Sequence, residues 1–416
     1  MHKPSTANHC PAAFFKSLLC VGALSASASS LALETNGYLR TGTLFNQSGA
    51  QGACFKLPGA SSKYRLGNEC EQYAEIMLTQ KLLSLDDGSV VAVQGMPALL
   101  NPYDREWTFN GESGGRIRMA QMFVDWRNVA ALNGGNFWAG RRYYKRKNIG
   151  ISDFVYWNQS ATGFGFDEVR IGDLRYSYVY SRKDSVFQKD AVTRQDFNVA
   201  GFRTNKDGDV EVGVNLLKKP SGTENAHSGW SLGVQHNQKI GDTGRNKLAF
   251  QYGQGPGIGL GLTGSVTADA SSRSYRLIDG LEWQLLPRFG VQLEALYQRN
   301  QGQPERGEDW LSLGGRTTYG VSEQIKLISE LGYDRIQSRE GIRYLNKVTL
   351  ATAWSPKGPG FALRPEFRLF YTYASWSKAA QLAANDSAPG SALSDTGSFG
   401  SDLHGSIAGV QLEYGW

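Results

Sequence analysis

The sequence lacks the long apolar runs from which membrane-spanning helices are built. Beyond the N-terminal segment, no stretch reaches the ~18 apolar residues that such a helix needs, so a helical membrane protein is excluded. Proline is modest at 13 residues, whereas glycine is abundant at 50 and aromatic residues make up 12% of the chain. This composition is typical of many strands joined by flexible turns.

Histidine is also scarce, and beyond the N-terminal segment only His227, His236 and His404 occur. No Gly-x-Ser-x-Gly frame accompanies them, and neither a zinc-ligand spacing nor a phosphate-binding loop is present. An enzyme is therefore disfavoured. We expect no catalytic residue, no metal and no cofactor.

Charged residues are rare at the N-terminus, where Lys3 and Lys16 are the only strong charges. An apolar stretch, residues 17–24, follows Lys16 and leads into a run of small residues that ends in Ser30-Leu31-Ala32. This order of charge, apolar stretch and small residues is typical of a cleaved signal peptide.

Two cleavage points fit the small-residue rule, one after Ala32 and one after Ala28. We expect residues 1–32 to be the signal peptide and residues 33–416 to form one exported domain. Loss of the segment removes two lysines and no acid, so the formal charge falls from +6 to +4. That charge is mild and dispersed, so we expect no nucleic-acid partner.

Of the four cysteines, only Cys54 and Cys70 remain after the signal peptide. An even pair in an exported chain favours a disulfide, because the compartment is oxidising. The bond would close a turn-rich loop.

Apolar and polar residues alternate with a period of two in many segments. Val210, Val212 and Val214, for example, alternate with Glu211 and Asn215. The pattern recurs in three further segments, residues 170–180, 290–298 and 364–373. Because successive side chains of a strand point to opposite faces, each segment has one apolar and one ionic face.

A soluble β-sandwich and a membrane β-barrel would both alternate, and three features favour the barrel. The apolar faces end in aromatic residues, as at membrane interfaces. Residues 408–416 form an alternating apolar face that closes on Trp416, which resembles the signal for outer-membrane assembly. Short turns at 204–209 and 286–288 mix with long loops at 253–272 and 385–405, as in outer-membrane barrels.

The ionic inward faces indicate a wide, water-filled interior, because unpaired charges are costly in a dry core. At about 20 residues per strand with its turns, residues 33–416 give roughly 18 or 19 strands, and an even number favours 18. We therefore predict an all-β fold, an 18-stranded antiparallel β-barrel in the bacterial outer membrane, surrounded by lipid and lipopolysaccharide. A TonB-dependent transporter would need a plug domain and a much longer chain.

Several motifs are long enough to be specific. They are Gly-Tyr-Leu-Arg-Thr-Gly at 37–42, Ser-Lys-Tyr-Arg-Leu-Gly-Asn-Glu-Cys-Glu-Gln-Tyr-Ala-Glu at 62–75, and Trp-Ala-Gly-Arg-Arg-Tyr-Tyr-Lys-Arg at 138–146, with further matches at 330–334 and 364–376. Together with the cysteine spacing they resemble the maltoporins, the sugar-selective porins. The resemblance implies a trimeric 18-stranded porin whose third extracellular loop folds inward and narrows the channel.

The resemblance also implies facilitated diffusion of oligosaccharides along a row of aromatic rings. Rings pack on the C–H-rich faces of a sugar, and charged side chains exchange hydrogen bonds with its hydroxyls. By motif position the aromatic row includes Tyr38, Tyr73 and Trp107, the last on a loop that reaches a neighbouring subunit. The implied polar contacts are Arg40, Arg65, Glu75, Arg118, Arg146 and Asp153. An alternative is that these are ordinary lumen tyrosines and ion pairs that hold the inward loop.

The chain departs from the maltoporin pattern at several aromatic positions. Val155 stands where a constricting tyrosine is expected, and Arg245 and Gly415 replace two other rings. A further position falls on Ala362, or on Phe361 with a slip of one residue. These changes predict a wider pore, or one adapted to another sugar than maltodextrin. A general diffusion porin without a sugar site is the first alternative, and an outer-membrane barrel enzyme is a remote one.

Overall fold

The structure is a computed structural model that describes residues 33–103, 105, 115–184, 192–302 and 307–416. The expected signal peptide and Trp107 lie outside these residues. Among the described residues, no helix is long and apolar enough to cross a membrane.

The described chain is built almost entirely of strands. They are β1 (Glu34–Asn46), β2 (Glu71–Ser84), β3 (Val90–Pro102), β4 (Arg116–Val129), β5 (Gly135–Arg142), β6 (Lys147–Ile149), β7 (Phe154–Trp157), β8 (Ala161–Ile171), β9 (Leu174–Lys183), β10 (Thr193–Asn205), β11 (Gly208–Lys218), β12 (Gly229–Ile240), β13 (Gly244–Gln254), β14 (Arg273–Leu286), β15 (Phe289–Gln301), β16 (Asp309–Gly320), β17 (Ile325–Ser338), β18 (Gly341–Trp354), β19 (Glu366–Trp376) and β20 (His404–Gly415).

Eighteen of these strands form one closed antiparallel sheet, which confirms the predicted barrel. Each strand pairs with its neighbours along the chain, and β1 closes the barrel by pairing with β20, with Tyr38 opposite Gly415. β5 pairs directly with β8, because β6 and β7 form a separate hairpin in the loop between them. The closed sheet leaves no unpaired edge, as a membrane barrel requires.

The alternation sorts side chains as expected. On β19, Phe367, Leu369 and Tyr371 point outward and are exposed on the barrel surface, whereas Arg368 and Thr372 point inward and are buried. The outer surface is therefore apolar and suited to lipid, and the interior is polar.

The two ends of the barrel differ in the length of their connections. At the end where β1 begins and β20 ends, most turns are short, such as residues 206–207 and 287–288. The opposite, extracellular end carries long loops, which include loop 1 (residues 47–70), loop 3 (residues 143–160) and loop 9 (residues 377–403). Loop 9 contains the one described α-helix, α1 (Lys378–Ser387), which the Ser377 hydroxyl caps by accepting a hydrogen bond from the Ala380 N–H.

Loop 3 folds into the barrel, as the resemblance implied. Trp157 lies over Gly213 and Gly233, which are cross-strand partners on β11 and β12. The Tyr156 hydroxyl donates a hydrogen bond of 2.7 Å to Gln235, and the Phe154 ring packs edge-on against Trp310. These contacts place the hairpin β6–β7 against the inner wall.

Loop 1 also folds inward, which we had not predicted. The Tyr64 ring lies over Gly314 and Gly332, cross-strand partners on β16 and β17. The Arg65 N–H donates a hydrogen bond of 3.0 Å to the Ile151 carbonyl, so loops 1 and 3 meet inside the barrel. The predicted disulfide between Cys54 and Cys70 is present at the base of loop 1.

Candidate functional site in the channel

Two tyrosines on neighbouring strands form the centre of the site. Tyr38 on β1 and Tyr73 on β2 both point inward, and their ring centroids lie 6.1 Å apart. The Tyr38 hydroxyl donates to Glu413 at 2.9 Å, and the Tyr73 hydroxyl donates to Glu75 at 2.5 Å. Because each hydroxyl is bound to a carboxylate, both rings are held in fixed orientations.

Arg40 and Arg65 connect this pair to loop 1. Arg40 pairs with Glu69 and with Glu71, each at 2.5 Å, and is only 5% exposed. Arg65 pairs with Glu69 at 3.0 Å and donates to the Tyr38 hydroxyl at 3.0 Å. Arg40 thus fits the alternative role of an ion pair that holds a loop, while Arg65 stays partly accessible.

Charge pairing also sets the ionisation of Glu69. Burial alone would raise the pKa of its carboxyl, but the guanidinium groups of Arg65 and Arg40 bring that pKa below its ordinary value. Glu69 is therefore an anion that joins loop 1 to β1.

A third tyrosine extends the aromatic surface towards loop 3. Tyr143 packs with Tyr73 against a small apolar cluster formed by Met96, Ala98 and Ala120. Tyr143 was not among the predicted site residues, although it lies within the motif at residues 138–146.

Arg118 and Arg146 converge on Tyr143. Arg118 donates to its hydroxyl at 3.2 Å, and the Arg146 guanidinium lies 4.6 Å from the ring centroid. In the part of the chain that the structure describes, neither arginine has a carboxylate partner. Both side chains are exposed, so their guanidinium groups can reach hydroxyl groups in the channel.

The tip of loop 3 carries the two remaining predicted positions. Phe154 and Tyr156 are buried against the wall, so Val155 between them faces the channel. Asp153 is exposed, in a left-handed backbone conformation with φ 50°, and accepts a bond of 3.5 Å from Asn148. The structure thus brings all the described site residues to one side of the lumen and to the tip that faces it.

The sequence model of the LamB porin family matches residues 33–416. The chain belongs to the LamB porin family. Among solved structures it is similar to the outer membrane channel DcaP of Acinetobacter baumannii, with 10% identity, a TM-score of 0.52 and coverage of 92% of this chain and 97% of that one. It is also similar to the outer membrane protein OpdK of Pseudomonas aeruginosa, with 10% identity, a TM-score of 0.51 and coverage of 92% and 99%. These likenesses show the barrel fold, and family membership places this LamB porin in the bacterial outer membrane.

The positions where this LamB porin departs from the expected aromatic row differ in their surroundings. Arg245 points into the lumen near the periplasmic end, with its side chain 62% exposed, and pairs with Glu282. Gly415 lies opposite Tyr38 on the neighbouring strand, and a Cβ added there would lie 3.7 Å from the Gly37 carbonyl oxygen, an ordinary contact. The Phe361 ring lies over Gly290, whereas Ala362 is exposed, so Phe361 is the better match of the two.

Proposed function

We propose that this LamB porin conducts oligosaccharides across the outer membrane by facilitated diffusion. The observation that carries the proposal is the pair of Tyr38 and Tyr73 rings, with Tyr143 packed against the same apolar cluster as Tyr73 and with the exposed guanidinium groups of Arg118 and Arg146 on Tyr143. An apolar surface bordered by polar donors matches a sugar, whose ring faces are apolar and whose edge carries hydroxyls.

The site residues act by weak, reversible contacts and no covalent step. The tyrosine rings support the sugar, while Arg65, Glu75 and Asp153 add hydrogen-bond partners around the narrow region. Several similar weak sites favour fast transit, because binding must be strong enough to admit a sugar and weak enough to release it.

The lost rings lower the expected affinity for linear maltodextrins. Each missing stack is worth about 0.5–1.5 kcal/mol, so at about 1 kcal/mol each, two or three losses would weaken binding by roughly thirty- to two-hundred-fold. Val155 also leaves space at the loop 3 tip, which favours a higher ion conductance than a tyrosine would permit.

The test is the current through single channels in a planar bilayer with a panel of neutral sugars. We expect transient blockades by oligosaccharides, and weaker blockade in Tyr73→Ala than in the native pore. If no sugar of any size reduces the current, the pore is a general diffusion channel. That second candidate function is favoured by Val155 and Gly415, which leave two positions of the aromatic row without a ring.

We also propose that the functional unit is a homotrimer, as the family resemblance implies. Unheated protein should migrate above the monomer on a detergent gel and shift to the monomer position after heating. Migration as a monomer without heating would contradict this assembly.

A further inference from the structure

A cleft of about 350 Å³ lies at the extracellular end of the barrel, above the tyrosine pair. Loop 1 contributes Gln51 and the Cys54–Cys70 disulfide, the end of β3 contributes Pro102 and Tyr103, and loop 9 contributes Ser391. Volumes of this order, from about 300 Å³ upward, are typical of sites for small ligands.

Tyr103 is held inside the barrel rather than on its outer surface. Its N–H donates a hydrogen bond of 2.9 Å to the Cys70 carbonyl, which fixes the backbone where β3 ends. Its hydroxyl lies 3.5 Å from the amide of Gln411, a residue whose side chain faces the lumen. The ring packs beside Cys70 and remains half-buried, so part of it borders the cleft.

Glu71 connects this cleft to the site below. Its carboxylate lines the cleft, and one oxygen pairs with Arg40 at 2.5 Å. The Arg40 guanidinium in turn lies 6.0 Å from the centroid of the Tyr73 ring. Glu71 therefore links the cleft to the buried Arg40, which lies beside Tyr73.

The cleft offers acceptors rather than free cations. Glu71 receives one bond from Arg40 and one from the Cys70 N–H, and a carboxylate has about four acceptor positions. The remaining positions suit hydroxyl donors, and the negative charge disfavours an acidic ligand. An aromatic ring beside such acceptors matches an uncharged sugar.

We propose that this cleft is a capture subsite for uncharged oligosaccharides, in which Tyr103 stacks on the first sugar ring to arrive from outside. The inference rests on the proposed function and extends it to the extracellular end of the channel. A captured sugar would then pass inward from Tyr103 to Tyr73.

The experiment measures the association rate of a neutral oligosaccharide with single trimers, with the sugar added to one side of the bilayer at a time. Tyr103→Leu should lower the association rate from the extracellular side by roughly two- to tenfold, the loss of one aromatic stack. When the sugar is added to the periplasmic side, Tyr103→Leu should change the association rate less, because a sugar from that side reaches Tyr103 last. Tyr103→Phe, which keeps the ring, should behave as the native pore.

A second variant protects the test against a folding defect. Ser391→Phe fills the cleft from loop 9 without altering Tyr103 or the tyrosines below, and it should lower the extracellular association rate in the same way. Trimer migration on a gel and the sugar-free conductance confirm that each variant is assembled.

The possible results separate the two proposals. If Tyr73→Leu weakens blockade while Tyr103→Leu and Ser391→Phe leave the extracellular association rate unchanged, the capture subsite is wrong and the sugar channel stands. The subsite is also wrong if Tyr103→Phe loses as much as Tyr103→Leu. If no sugar blocks the native pore, the sugar channel itself fails, and the subsite fails with it.

Discussion

Loops 1 and 3 both fold into the barrel and use the same device to reach its wall. Each lays one aromatic ring, Tyr64 or Trp157, over a pair of lumen-facing glycines that are cross-strand partners. Glycine is required there because a Cβ on Gly233 would lie 2.8 Å from the Trp157 ring, closer than real contacts allow. Two loops of unrelated sequence thus reach the wall in the same way, by packing an aromatic ring against glycine backbone.

The loops differ in what holds them besides this packing. Loop 1 is tied by the disulfide, by the Arg40 and Arg65 ion pairs, and by the Leu66 N–H, which donates to Glu330 at 3.0 Å. Loop 3 has no covalent tie. Its Lys145 and Lys147 pair with Glu211 at 2.9 Å and 2.6 Å, and Arg276 and Arg194 on the wall donate to the carbonyls of Tyr156 and Gln159 at 3.1 Å and 2.8 Å. Loop 1 is therefore the fixed wall of the narrow region, and loop 3 is the wall that mutations should move most easily.

Removal of the disulfide should have the largest effect on this comparison. The bond spans 16 positions, and a closure of that length is worth about 3 kcal/mol in the chain-entropy model. The double substitution Cys54→Ser and Cys70→Ser should therefore lower the free energy of unfolding, measured in urea, by about that amount. Mass spectrometry of non-reduced native protein should find no free thiol at either position, and two free thiols would contradict the bond.

Substitution of the glycines under these two rings should have the next largest effect. Gly233→Val should push Trp157 off the wall and raise the conductance, because overpacking costs about 1–3 kcal/mol and no covalent bond holds loop 3 in place. The matched change Gly332→Val meets Tyr64 in the same way, but the disulfide and ion pairs should keep loop 1 in place. Single-channel conductance measures both. Equal increases in the two variants would show that the loops are held equally well.

The glycine pairs under Tyr64 and Trp157 also show which features could be predicted from the sequence. The alternation around Val212 and Val214 correctly placed Gly213 on the inward face, and the strand count and the cysteine pair were confirmed. What lies over Gly213 depends on Trp157, far away in the chain, and on a register between strands that no local pattern encodes. The inward fold of loop 1 was missed for the same reason, because its contacts with β16 and β17 join residues about 250 positions apart in the chain.

The site shows the same division between local and distant information. Tyr38, Tyr73, Arg40, Arg65 and Arg146 were predicted from long motifs, and Arg118 from an alignment with a gap of one residue; the structure places all of them around the same part of the lumen. Tyr143 could have been noticed within its motif, since it stands beside the buried Tyr144 with which Trp138 packs. Tyr103 could not, because its position in the lumen depends on a backbone bond to Cys70.

The tip of loop 3 offers a smaller test. Val155→Tyr should lower the conductance, because the larger side chain would project into the channel between the buried Phe154 and Tyr156. Val155→Ile serves as the control, since it adds one methylene without a ring. An unchanged conductance in Val155→Tyr would show that Val155 does not lie at the narrowest point, and that the assignment of the constriction to this tip is wrong.

The smallest expected effect concerns the ring that loop 3 contributes to the aromatic surface. Tyr143 stands at the start of loop 3, next to Tyr73 on the barrel wall, and it carries Arg118 on its hydroxyl and Arg146 on its face. Tyr143→Leu should weaken sugar binding by the loss of one ring–sugar stack, about 0.5–1.5 kcal/mol. It should also remove the contacts of Arg118 and Arg146 with the tyrosine. Tyr143→Phe keeps the ring and the Arg146 contact but loses the bond from Arg118, so it separates stacking from hydrogen bonding. Blockade lifetimes of a neutral oligosaccharide measure the difference.

If Tyr143→Leu changes the lifetime no more than Tyr143→Phe does, the ring is a support for the arginines rather than a surface for sugar. Loop 3 would then contribute only charge and width to the channel, and the aromatic surface would end at Tyr73.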